Sequence, residues 1–301
     1  MTRPKRISRG VTEAKRFPTK LQTGPSTATD DHRSAARVAE EKSVVQGTQA
    51  IGRAFAILRS FNVGRLELSI SELASACQMS PSTTHRMCRA LVVEGFLQQD
   101  ESSARYSLGH ASVLLGQLAQ RSQGLDRALS MLKYVGTATG ESINLGIRVG
   151  LIPTVLLRVE STFPLRLEQP PGTQVPIHAS AIGKTFLAWS PDPKALLDSL
   201  KPLPRFTENT LITTNDLVKD IVTTRNRGYS IDDEEGILGV RCVGAPILDE
   251  AGIATAAVGI QVPAARMSKA RFAELGEMSM TLGRDLAKVL LQGRSPFAPT
   301  R

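Results

Sequence analysis

No apolar run among the 301 residues approaches the roughly 20 that a membrane-spanning helix needs. The N-terminus is basic but has no apolar segment behind it, so it does not read as a secretory leader. The protein is therefore expected in the cytoplasm, away from membranes. Cysteine is scarce: Cys77, Cys88 and Cys242 are odd in number and show no CxxC spacing. That excludes a disulfide framework, and the scattered His32, His85, His110 and His178 do not suit a zinc site. No metal or other cofactor is expected. Internal repeats are absent, and so is the regular strand–helix alternation of a doubly wound fold.

What is present is ordinary for a globular chain, 41% hydrophobic and 22% charged, with length enough for one large or two modest domains. The formal net charge of +9 is unevenly spread. Residues 1–46 hold ten Lys and Arg against five Asp and Glu, whereas residues 47–110 hold six against five. The first stretch, rich in Thr, Ser, Pro and basic residues, reads as a disordered arm. It is either a non-specific attraction to phosphate or an unselected extension.

The informative stretch is 69–109. Ile70, Leu73, Ala74 and Cys77 recur at helical spacing, with Ser69 and Glu72 placed to form a capping box. Ser80-Pro81 then opens a second helix with a hydroxyl cap and a proline at its first position. Thr84, Met87, Cys88 and Leu91 fall on one stripe, which turns Ser82, Thr83, His85, Arg86 and Arg89 toward the outside. Two short alternating runs, 95–99 and 105–109, surround a turn-rich stretch and predict a hairpin in the place of a wing, bearing Arg105. An amphipathic helix over 50–61 supplies a third wall. The pattern fits a winged helix-turn-helix that lays its second helix in a DNA major groove, or else an ordinary helical pair with a hairpin.

Residues 110–122 form a short helix with more leucine than one partner surface needs, which suggests pairing with a second copy. A helix over 127–139 follows, ended by Gly140. Runs at 142–149, 152–159 and 165–168 are β-rich; helices are expected at 181–189, 194–200 and 215–227. Strands return at 229–232, 240–248 and 253–262 before a closing helix over 272–291. Strands grouped on either side of a helical block predict an α+β domain around a mixed or antiparallel sheet.

Two segments of this second half carry chemistry. His178-Ala-Ser-Ala-Ile-Gly-Lys-Thr185 contains a Gly-Lys-Thr triplet, but a phosphate-binding loop needs glycine where His178 stands. What remains is a tight turn into a helix, either an anion seat on the amides of Ala181 and Ile182 or a plain structural cap by Ser180. The second segment, 228–249, holds four consecutive acids, Asp232 to Glu235, for which a solvated loop is the default. An enzyme would use Cys242 as nucleophile and His178 as its base, but nothing in the spacing demands it.

Ser82 to Leu91, Glu94-Gly-Phe96, Asp100 and Arg105 to Gly109 resemble the DNA-binding half of the IclR (isocitrate lyase regulator) family of transcriptional regulators. Gly228, Asp232, Glu235, Cys242, Gly244 and Asp249 resemble that family's second-half signature. So do His178-Ala-Ser180 with Gly183-Lys184, Gly140 to Asn144, and Arg158-Val-Glu160; Leu248 departs from the pattern. The likeness runs from about Gly47 to about Gly293. It implies a dimer or a dimer of dimers that binds double-stranded DNA and senses a small organic or aromatic acid. By position, the pocket would use the amides of Ala181 and Ile182, with Asp232 and Cys242 as polar groups. Some members place two serines on the last pocket strand where this chain has Gly259 and Gln261, an exchange expected to open space and offer an amide.

The sequence thus implies a basic arm (1–46), a winged helix-turn-helix (47–109), a dimerisation helix (110–124), an α+β effector domain (125–293) and a tail (294–301). The function it points to is a sequence-specific, effector-responsive regulator. The alternative is a small-molecule-processing enzyme with an accessory DNA module.

Overall fold

The computed structural model describes residues 48–62 and 64–291. The arm and the tail lie outside those residues. The chain divides into two compact units, the first running to Val93 and including Gln98–Ser107, the second holding Glu94–Leu97 and Leu108 onward. No helix among the described residues is long and apolar enough to cross a membrane.

In the first unit, α1 (Gln49–Arg59), α2 (Ile70–Cys77) and α3 (Pro81–Val93) are three short helices, and strands β1 (Leu97–Gln99) and β2 (Tyr106–Leu108) form the hairpin. The capping box expected at Ser69 is present. The Ser69 hydroxyl accepts from the Glu72 N–H, and the Glu72 carboxylate accepts from the Ser69 N–H at 2.8 Å. Gln78 ends α2 in the left-handed conformation (φ 53°), and the Ser80 hydroxyl then accepts from the Thr83 N–H to start α3. Ile57, Leu73, Ala74, Thr84, Cys88 and Leu91 are the buried residues of the three helices.

The second unit begins with α4 (His110–Ser122) and α5 (Leu125–Thr139). Strands β3 (Ser142–Val149) and β4 (Ile152–Val159) follow, then α6 (Ala181–Ala188), α7 (Pro193–Ser199) and α8 (Thr214–Arg227). Strands β5 (Ser230–Asp233), β6 (Val240–Leu248) and β7 (Ala254–Pro263) lead through a single 3-10 turn to α9 (Lys269–Leu290). The five strands form one sheet in the order β4-β3-β7-β6-β5, antiparallel at every pairing. Of the two sheet types anticipated, antiparallel is the one formed. The strand expected over 165–168 is absent. Its flanks are Pro164 and Pro170, and its Leu165 and Leu167 carbonyls accept from Arg266 and Arg158 side chains instead of a neighbouring strand.

Strand alternation gives the sheet two different faces. Ile143, Leu145, Leu157, Val243, Ala245, Ile247, Val258, Ile260 and Val262 point one way and join Leu132, Leu275, Leu282 and Leu286 of α5 and α9 in the main core. The intervening positions are small or polar: Ser142, Asn144 and Gly146 on β3, Gly259 and Gln261 on β7, Cys242 and Gly244 on β6, Ser230 and Asp232 on β5. Against this second face lies α6, backed by α7 and α8.

Side chains too large would hold α6 off. A Cβ at Gly244 would stand 2.9 Å from the Ala181 carbonyl oxygen, and one at Gly259 would stand 3.0 Å from Ile182 Cγ1. Lys184 then locks the helix in place. It is 2% exposed and pairs with Glu235 at 2.6 Å and Asp220 at 3.1 Å. The run Asp232–Glu235 is thus only in part a solvated acidic loop, with Asp233 exposed. Asp232 and Glu235 are buried because a lysine from the helix and backbone amides compensate them. Removing one partner of a buried ion pair leaves the other uncompensated. Lys184→Ala should therefore lower unfolding stability by about 3–5 kcal/mol, read as a drop in the urea midpoint.

Candidate DNA interface and effector pocket

The outer face of α3 is as the spacing predicts. Ser82, His85, Arg86 and Arg89 are exposed and Thr83 is half-buried. Ser82 and Thr83 are held at the helix start, where the Ser80 hydroxyl lies 3.2 Å from Ser82 Oγ and donates to Thr83 Oγ1 at 2.9 Å. The guanidinium groups of Arg86 and Arg89 donate to no acceptor among the described residues, so both are available to an outside partner. Arg105 is placed differently. Its Nη2 pairs with the capping-box carboxylate of Glu72 at 2.8 Å and donates to the Glu67 carbonyl at 3.0 Å. It ties the hairpin to the start of α2.

The second site lies where α6 begins over the polar sheet face. Ser180 caps α6 by accepting from the Gly183 N–H at 3.1 Å. The next two amides, those of Ala181 and Ile182, have no acceptor among the described residues. On the sheet face that α6 covers, in the row next to Gly244 and Gly259, Asp232, Cys242 and Gln261 stand side by side on β5, β6 and β7, and Ser142 of β3 lies opposite Gln261. The space expected at Gly259 is not open. The Ile182 side chain fills it and also rests on Gly146, where a Cβ would be 2.7 Å from Ile182 Cγ2.

Electrostatics favour neutral donors here. Burial, then the neighbouring Glu235, pushes the Asp232 carboxyl up to about 7, although its Oδ1 accepts from the Glu235 N–H at 2.8 Å. Burial thus favours its neutral form, which can donate. Burial and the Asp232 charge push the Cys242 thiol well above its usual range, the opposite of what an attacking thiolate requires. His178 has no hydrogen bond to it. Its Nε2 lies 2.9 Å from the Pro204 carbonyl oxygen, its ring packs on Phe206, and burial lowers its pKa. No group of three or more His, Cys, Asp or Glu suited to a metal occurs among the described residues.

The structure adds residues that sequence reasoning did not select. Arg158 of β4 reaches across β3, donating from Nη1 to Asn144 Oδ1 at 2.9 Å and to Gln261 Oε1 at 3.3 Å. Gln261 Nε2 in turn donates to Gln169 Oε1 at 2.9 Å. A signal was available: Ser142, Asn144 and Arg158 are polar residues in otherwise apolar strands, at alternating positions of one face.

Comparison with known proteins agrees with this geometry. The family model for the IclR helix-turn-helix domain matches residues 50–101, and that for the bacterial transcriptional regulator IclR C-terminal domain matches residues 118–288. The chain is 36% identical over 244 residues to the HTH-type transcriptional regulator BhcR of Paracoccus denitrificans, covering 80% of this chain and 87% of the relative. The crystal structure of the Thermotoga maritima IclR is similar at a TM-score of 0.61 and 28% identity, over 80% of this chain and 99% of that one. An IclR homologue from Microbacterium hydrocarbonoxydans, complexed with 4-hydroxybenzoate, shares the fold at a TM-score of 0.69 and 22% identity, over 80% and 99% of the two chains. A helix-turn-helix with a basic outer face, an antiparallel effector-type sheet and both family models matched in order mean that this chain belongs to the IclR family of bacterial transcriptional regulators.

Proposed function

We infer that the protein is a cytoplasmic regulator whose operator binding responds to a small organic or aromatic acid seated at the start of α6. The observation that carries this reading is the pair of unpartnered amides at Ala181 and Ile182, at the positive end of a helix and above the Asp232, Cys242 and Gln261 row. A carboxylate accepts such amides well, and the neutral form of Asp232 and a neutral thiol donate to its other oxygens. The 4-hydroxybenzoate complex of the Microbacterium homologue supports an acid of this class.

On the DNA side, residues 47–109 act as the reading module. Arg86 and Arg89, with Ser82, Thr83 and His85, face the major groove, and Arg105 fixes the wing that meets the backbone. Residues 110–124 pair two copies. On α4, Val113, Leu114, Leu115 and Leu118 are each more than half exposed, a density of apolar surface that a second copy of the helix would cover. The effector, bound within 125–293, shifts the equilibrium between dimer geometries and so alters the spacing of the two reading helices. The arm at 1–46 adds non-specific attraction to phosphate.

Three outcomes test these assignments. Arg86→Ala should weaken operator binding by about 1–3 kcal/mol and relax preference at one base pair in a gel-shift series; an unchanged footprint would remove Arg86 from the groove. Replacing Leu114 and Leu118 together with Asp should yield monomers by light scattering and abolish tight operator binding, because both half-sites must be engaged at once. Proline is tolerated at the first position of a helix, and the extended Ser180 suits a following proline. Ala181→Pro should therefore fold and bind operator, yet lose about 1.5–3 kcal/mol of acid affinity by calorimetry. An unchanged effector response in that variant would place the acid elsewhere.

A further inference from the structure

A charged side chain removed from water is normally accompanied by an opposite charge. Most of the second unit obeys this. Lys184 has Glu235 and Asp220, and buried Glu141 has Arg266 at 2.7 Å and Arg271 at 3.1 Å. Arg158 does not. Its Nη1 donates to the side-chain amides of Asn144 and Gln261, and its Nη2 to the Ser142 hydroxyl at 3.2 Å and to the Leu167 carbonyl. All four acceptors are neutral, and Nε is buried without any acceptor. Glu160 and Glu168 act on the guanidinium through space, but neither forms an ion pair with it, and Glu160 pairs with Arg166 at 3.3 Å. Burial pulls the Arg158 pKa below its ordinary value, the sign of a cation short of compensation.

The location of this cation matters as much as its isolation. Asn144, which holds it, lies opposite Gly259, the residue on which Ile182 rests. Gln261, which also holds it, lies opposite Cys242 on one side and Ser142 on the other. The guanidinium therefore overhangs the same polar strip as the start of α6, from the opposite edge. Asn144 and Ser142, themselves buried, fix the plane of its fork. A planar fork so held offers a carboxylate a fixed, directed N–H donor.

We propose that the effector is a dicarboxylic acid, with one carboxylate on the Ala181 and Ile182 amides and the other on Arg158. The inference rests on the acid seat assigned above and adds the second seat. At the guanidinium the second carboxylate takes the place of the Gln261 oxygen, a neutral acceptor for a charged one. Gln261 keeps its bond to Gln169. A monocarboxylate can fill the first seat but leaves Arg158 with its neutral partners.

The test uses the full-length protein and matched pairs of acids: succinate against butyrate, glutarate against pentanoate, adipate against hexanoate, and terephthalate against benzoate. Calorimetry should find at least one pair in which the diacid binds roughly 10- to 100-fold more tightly than its monoacid partner. Arg158→Gln should reduce that diacid to the level of its partner and leave the monoacid unchanged, and Arg158→Lys should restore part of the difference. Circular dichroism melting establishes that the variants fold, and the wild-type comparison stands without them. Equal binding within every pair, or a diacid preference that survives Arg158→Gln, would overturn the second seat. The first seat would still stand if Ala181→Pro weakens the monoacid. Binding of no acid from either series would overturn both.

Discussion

The close approach of one helix start to one strip of sheet governs the second unit. Helix α6 begins above strands that present glycine at 146, 244 and 259, and only residues without a Cβ permit its backbone and the Ile182 side chain to come so near. Seating a helix end on a sheet would ordinarily bury unsatisfied amides at high cost. Ser180 satisfies one of them, and the first two remain available to a ligand. The buried pairing of Lys184 with Glu235 and Asp220 keeps the helix there, and the Glu235 amide in turn orients Asp232. The small residues of the strip thus decide how closely the layers pack.

The same strip explains the division of labour between the two sheet faces. One face contributes only apolar side chains and meets α5 and α9 in a dry core. The other contributes hydroxyl, amide, thiol and carboxyl groups within reach of each other. Strand β7, central in the sheet and buried along nearly its whole length, serves both, with Val258, Ile260 and Val262 on one side and Gly259 and Gln261 on the other. The dry core and the polar face are therefore written on alternate residues of a single strand.

Much of this was legible in the sequence. The capping box at Ser69 and Glu72, the Ser80-Pro81 helix start and the strands at 142–149, 152–159 and 240–248 follow from local rules and stand where periodicity puts them. What escaped depends on partners distant along the chain. The stretch 165–168 has the composition of a strand but no strand beside it, only the arginines 158 and 266. Glu235 looks solvated until Lys184 is brought to it. Gly259 looks like open space until Ile182 is known to fill it. Arg158 stands in a family-like Arg-Val-Glu run, but its partners Asn144 and Gln261 emerge only once the sheet register sets it beside them. The motif residues shared with the IclR family include Asp232, Cys242 and Gly244 of this strip.

The ion pair between Arg105 and Glu72 has an entropic consequence. A free hairpin would have to be ordered when a duplex arrives, and each immobilised segment would subtract from the affinity gained. Here the carboxylate that caps α2 also fastens the hairpin, so both elements are already set in relation to one another. The reading surface is preorganised. Little of the interaction energy with a duplex is then diverted to arranging the backbone of the helix-turn-helix and its hairpin.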